Sequence, residues 1–259
     1  LVAFSASAQT DEKLIRKGNR DYHRGDYTEA EVKYRKALET RANNAKAQFN
    51  LGDALYMQEN YDGAFAAFQQ VLEMTPDIKL KSNAVFNMGN CLLAQGKYYD
   101  AFNVYKTALK LNPDNEDALY NLEFCRAHLV KSHIYIYKGV EHGTVEASEE
   151  MAFNGQKISL SAKADEGYAL KQYAVVRADN TEVTVDVSGS SFVMPTFDVV
   201  VAAEFKPLRK IDVEKNIPHG TVMADKTQAV EGQQVKLSAN PEPNYLVDRY
   251  VVYKTGSRN

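Results

Sequence analysis

The chain has 259 residues, 44% of them hydrophobic and 25% charged, which is ordinary for globular protein and long enough to bury one large or two small cores. A formal net charge of −3 gives no electrostatic reason to expect nucleic acid as a partner. No apolar run reaches the roughly 18–20 residues that a membrane-spanning helix requires.

Residues 1–10 form an apolar stretch that closes on Ala6-Ser7-Ala8, the small-x-small pattern a signal peptidase accepts. They read as a signal-peptide remnant, with the mature chain expected from Gln9 and a secreted, periplasmic or cell-surface location. No cysteine follows the expected cleavage site, so no lipid anchor is indicated there.

From residue 11 the sequence repeats. Gly18, Gly52 and Gly89 are each followed at nine residues by Tyr27, Tyr61 and Tyr98, and at twelve by Ala30, Ala64 and Ala101. Tyr34, Phe68 and Tyr105 follow at sixteen, Ala37, Val71 and Ala108 at nineteen, and Pro76 and Pro113 close the second and third units. Small residues let two helices approach closely, and the aromatic residue fills the gap to the next unit. No such unit buries its apolar face alone, so the units must stack. Repeats are expected over about 11–44, 45–78 and 82–115, with a capping helix over 114–131 in which Glu123 stands where the glycine is expected. Cys91 and Cys125 fall in one buried slot of successive units, which should hold them too far apart for a disulfide.

This pattern resembles the tetratricopeptide repeat (TPR), and the stretch 109–129 resembles the TPR proteins of bacterial aerotolerance operons, which are exported and act on other envelope proteins. The resemblance implies that the first helix of each pair lines a concave face, with positions 2, 5, 6, 9, 12 and 13 of each repeat pointing into it. Counted from Asp11, Ala45, Ser82 and Glu116, position 6 reads Arg16, Asn50, Asn87 and Asn121. Position 9 reads Asn19, Asp53, Asn90 and Phe124, and position 5 reads Ile15, Phe49, Phe86 and Tyr120. A line of amides beside a line of aromatics suits an extended peptide, because amides donate and accept together and aromatic rings add contact area at low entropic cost. The expected groove is Asn19, Phe49, Asn50, Asp53, Phe86, Asn87, Asn90, Tyr120 and Asn121. TPR domains that hold chaperone C-terminal tails need basic residues where this chain has Ile15, Asn83 and Asn87, so such a tail is not the expected ligand.

After Lys131 the pattern alternates, and strands are expected at 134–137, 157–162, 182–187 and 199–205. This half repeats at an offset of 77: His142-Gly143-Thr144-Val145 returns as His219-Gly220-Thr221-Val222, and Tyr168 returns as Tyr245. With Phe192-Val193-Met194-Pro195 and the closing run at 199–205, the unit resembles the divergent internalin B-type repeat of bacterial surface proteins. One such repeat is expected over 132–207 and a partial, less well-packed second copy over 208–259.

The fold class read from the sequence is therefore an α + β multidomain chain. An all-α TPR superhelix of three helix pairs plus a cap precedes a small, mainly β repeat and its truncated copy. No catalytic constellation, cofactor motif or metal-ligand spacing emerges, and His142 and His219 read as turn residues. The expected function is a non-enzymatic scaffold of the bacterial cell envelope or surface that binds a partner protein or peptide. The alternative is an adhesin or stalk in which the β repeats make the contacts.

Overall fold

The computed structural model describes the backbone of residues 2–252 and the side chains of residues 10–252. The leader reading of residues 1–10 falls, up to Gln9, on Leu1 and on side chains outside those described, while the backbone from Val2 onward belongs to the first helix. Two compact units divide between Lys131 and Ser132, with the short stretches 153–156 and 194–196 grouping with the first.

The first unit is seven helices: α1 (Val2–His23), α2 (Tyr27–Thr40), α3 (Ala45–Met57), α4 (Tyr61–Met74), α5 (Ile78–Ala94), α6 (Tyr98–Leu111) and α7 (Glu116–Ala127). This is three helix pairs and a single closing helix. Each helix is amphipathic for the same reason: its buried residues recur at spacings of four and three, as in Ala30, Tyr34 and Ala37 on α2, or Ala118, Leu122 and Cys125 on α7. The starts of α3, α4, α5 and α7 are fixed by side-chain caps. Asn44, Asn60 and Asn115 each accept from the backbone N–H three residues on, and Asp77 accepts from Lys79 and Leu80. The turn inside each pair needs a left-handed residue, which Gly25 and Gly96 supply. Glu59 holds the same place in the middle pair at φ 61°.

The glycines of the repeat mark helix contacts. A Cβ built on Gly18, Gly52 or Gly89 would lie 2.5–2.6 Å from the ring of Tyr34, Phe68 or Tyr105. All three rings are buried. Cys91 and Cys125 are buried and unbonded, and burial pushes their thiols up to about 12 and about 11.

Among the described residues, the chain after α7 forms twelve strands in four sheets. Strands β1 (Lys131–Ile136), β3 (Met151–Phe153), β5 (Tyr168–Arg177) and β8 (Val199–Pro207) form one sheet in the order β3-β1-β8-β5, with β1 and β8 parallel. Strands β2 (Gly143–Ala147), β4 (Lys157–Ala164), β7 (Ser191–Val193) and β6 (Val187–Ser188) form the other four-stranded sheet in that order. Alternate residues turn inward, so Ile134, Val145, Ile158, Leu160, Val175, Phe192, Val199, Val201 and Phe205 are buried.

The expected strand at 182–187 is not formed. An Asn180 turn, in which the Val183 N–H donates to the Asn180 carbonyl, breaks the ladder. What remains is a single bridge from Thr184 to Val176 and the two-residue β6. The longest strand, β5, carries no clean alternation, which hid it from the sequence pattern.

Two short sheets complete the unit: β9 (Arg209–Lys210) with β11 (Gln228–Ala229), and β10 (Gly220–Ala224) with β12 (Leu237–Pro241). The second copy reproduces the first hairpin residue for residue. Gly143 pairs with Ala164 and Ala147 with Leu160; at the same offset Gly220 pairs with Pro241 and Ala224 with Leu237. His142 and His219 sit at φ 63° and 62°, their carbonyls accept from Asp165 and Glu242, and their rings stack on Tyr168 at 3.9 Å and Tyr245 at 4.0 Å. They act as turn residues with an aromatic lock.

Candidate functional site

The first helices of the pairs, α1, α3 and α5, together with α7, carry every residue expected in the groove. Their amides are not a row of free groups. They bond each other in a ladder that crosses the repeats. The position-6 amide of one repeat donates to the position-9 oxygen of the repeat before it: Asn50 Nδ2 to Asn19 Oδ1 at 2.9 Å, Asn87 Nδ2 to Asp53 Oδ1 at 3.1 Å, and Asn121 Nδ2 to Asn90 Oδ1 at 3.1 Å. Asn90 Nδ2 adds a bond to Asn87 Oδ1 at 3.2 Å.

The second helices fasten this ladder from behind. Tyr34 Oη donates to Asn19 Oδ1 at 2.9 Å and Tyr105 Oη to Asn90 Oδ1 at 2.7 Å, while Asn121 Nδ2 also reaches Tyr105 Oη. Burial pushes the Tyr34 hydroxyl up to about 12 and the Tyr105 hydroxyl well above the usual phenol range. Both are therefore neutral donors. In the middle repeat the equivalent ring is Phe68, which has no hydroxyl, and the position-9 residue is Asp53 in place of asparagine. Burial pushes the Asp53 carboxyl up to about 7.

The expected aromatics divide. Phe49 and Phe86 are half-buried and pack on the rings of the second helices, with centroids 5.3 Å from Phe68 and 5.9 Å from Tyr105. They brace the helix pairs and do not form a stacking line beside the amides. Ile15 is fully buried, whereas Tyr120 is 72% exposed.

A cavity of about 200 Å³ opens between α1, α2 and α3, lined by Asn19, Tyr22, His23, Tyr34, Asn50 and Asp53. Three of these were singled out by the repeat register. Tyr22 and His23 occupy positions 12 and 13 of the first repeat, inward places by the same register, so the signal that would have found them was present. Tyr34 was read only as a core ring; its hydroxyl partner follows from how the two helices pack. Among the described residues no cluster of three His, Cys, Asp or Glu side chains is placed to hold a metal ion. No described helix is long and apolar enough to cross a membrane.

Comparison with known proteins agrees with this architecture. The tetratricopeptide repeat family matches residues 15–77 and a second TPR family matches residues 89–122. The divergent InlB B-repeat domain matches residues 136–209. No curated protein matches the chain. Similar solved structures include three that each cover 46–47% of the chain. The Arabidopsis OM64 TPR domain is 21% identical over 47% of this chain and 98% of its own, at a TM-score of 0.44. The second TPR domain of human RPAP3, in complex with an HSP70 peptide, is 22% identical over 47% of this chain and 97% of its own, at 0.42. The type III secretion translocator chaperone SycD of Yersinia enterocolitica is 20% identical over 46% of this chain and 94% of its own, at 0.43. The chain thus carries tetratricopeptide repeats in its helical unit, followed by a divergent InlB B-repeat domain.

Proposed function

We propose that the helical unit binds an extended segment of a partner protein along the face of its first helices, and that the chain serves as an exported scaffold of the bacterial cell envelope or surface. The observation that carries the binding reading is the hydrogen-bonding capacity left along the ladder. Asn19 Nδ2, Asn50 Oδ1, Asn121 Oδ1 and the second carboxylate oxygen of Asp53 have no partner among the described residues. These groups are half-buried and held rigidly by their neighbours, so a peptide backbone that pairs with them meets an ordered surface. The export reading is supported by the leader-like residues 1–10 and by the InlB-type repeat, whose relatives are bacterial surface proteins.

The binding test is selection of a random dodecapeptide phage library on the full chain. Selected peptides should bind wild-type protein and lose at least about tenfold in affinity on the Asn50→Ala/Asn121→Ala double variant, with helical circular dichroism retained. An absence of selected peptides, or undiminished binding to the double variant, refutes the groove. Cell fractionation of the native host tests the location, and a cytoplasmic pool alone refutes it.

A further inference from the structure

The cavity between the first two repeats differs in chemistry from the rest of the ladder. Its lining includes Asp53, the position-9 residue of the second repeat and the one carboxylate among the ladder's acceptors, together with two tyrosines, Tyr22 and Tyr34. Asp53 accepts one bond, from Asn87, and an ionised carboxylate offers about four acceptor sites on its two oxygens. No basic side chain among the described residues is paired with it, and burial pushes its carboxyl up to about 7. An unpaired half-buried carboxylate is costly, and the cost is recovered when an opposite charge arrives. Tyr22 is half-buried and fixed edge-on to Tyr27 at 5.2 Å, and its ring adds a surface that favours cations.

We infer that this cavity is a specificity pocket for a basic side chain, lysine or arginine, of the bound segment, with Asp53 as its counter-ion and Tyr22 as its wall. The inference rests on the peptide-binding reading and adds to it the residue that the groove selects. It also reverses the polarity of TPR grooves that clamp a carboxylate. An anion would be repelled by Asp53. A neutral group would leave the charge uncompensated. Asn19 and Asn50 are bonded to each other and leave the carboxylate as the strongest feature of the pocket.

Binding should follow the ionisation of Asp53. A cation favours the charged carboxylate, so affinity should fall between about pH 8 and about pH 6 as the carboxyl takes up its proton. The other titratable groups on the elements packed around it are Asp21, Tyr22 and His23 on α1, Tyr34 on α2 and Cys91 on α5. On α4 the corresponding ring is the apolar Phe68. His23 lines the same cavity, and His23→Gln isolates its imidazole from the carboxylate.

The peptides selected on the full chain supply the test. They should share one lysine or arginine, and replacing that residue by norleucine should weaken binding at least about tenfold at about pH 8. Asp53→Asn should abolish the preference and the pH dependence, while His23→Gln keeps both. n-Butylammonium should compete with a selected peptide for wild-type protein but not for Asp53→Asn, which separates the pocket from a general charge effect. Selected peptides that depend on Asn50 and Asn121 but show no basic residue overturn this inference and leave the groove standing. A selection that yields no peptide overturns both. Equal affinity for the lysine and norleucine peptides, or an unchanged preference in Asp53→Asn, overturns the pocket alone.

Discussion

Gly52→Ala tests whether the repeat glycines are required by contact rather than by chain flexibility. The new Cβ would lie 2.6 Å from Cε1 of Phe68 and 2.8 Å from two further ring carbons. Carbon atoms pack at about 3.5–4.0 Å, so the ring must withdraw by roughly 0.9 Å. Phe68 is fully buried and lies edge-on to Phe49, so there is no solvent side to withdraw to. Overpacking of this kind costs about 2–3 kcal/mol, and the gain of alanine over glycine in a helix interior offsets about 1 of it. The net loss should be about 1–2 kcal/mol, read as a lower urea midpoint of the helical circular dichroism signal at unchanged slope. Phe68→Leu alone should cost about 1–2 kcal/mol through the cavity it leaves. In the double variant the new methyl enters the vacated space, so the two losses should fall short of additivity by at least about 1 kcal/mol. A Gly52→Ala protein as stable as wild type, or a strictly additive double variant, would refute the close-contact argument.

Asp53 has a folded pKa raised to about 7, so the stability it contributes is complete below its unfolded value near 3.8 and is lost as pH rises through 7. Asp53→Asn should therefore be more stable than wild type above about pH 7, by on the order of 2–4 kcal/mol, with the gap closing towards about pH 4 in parallel urea melts. Asn90→Ala removes the acceptor shared by Tyr105 and Asn121 and should cost about 1–3 kcal/mol; an unchanged urea midpoint would show that the hub is not stabilising. Cys91 and Cys125, with thiols pushed up to about 12 and about 11, should resist iodoacetamide at about pH 8 in folded protein and react fully in urea, as mass spectrometry would show.

Much of the helical half was legible because a TPR writes its contacts into a fixed spacing. Gly18, Gly52 and Gly89 touch the aromatic residue sixteen positions on in each case, a contact inside one helix pair whose geometry hardly varies. The repeat register also singled out Asn19, Asn50, Asp53, Asn87, Asn90 and Asn121, which the fold joins in the hydrogen-bonded ladder. What those residues do there was not legible. Phe49 and Phe86 were expected to line the groove, and the packing of α3 on α4 and α5 on α6 sets their half-buried rings against Phe68 and Tyr105. In the β half, His142 and His219 were correctly placed in turns by their glycines, but the 182–187 strand failed because an Asn180 turn outweighed a short run of alternating residues.

The sequence by itself determined the helical repeat with its register and the presence of a β repeat after it, because each follows from local spacing and from burial of a periodic apolar face. The tertiary structure decided which polar groups meet across repeats. The ladder bonds join residues 31–34 positions apart, and their partners depend on how one helix pair stacks on the next. Asp53 is the clearest case. In the sequence it is one more polar residue in a row of asparagines. In the fold Phe68 stands where Tyr34 and Tyr105 offer hydroxyls, and burial leaves a carboxylate that titrates near neutrality.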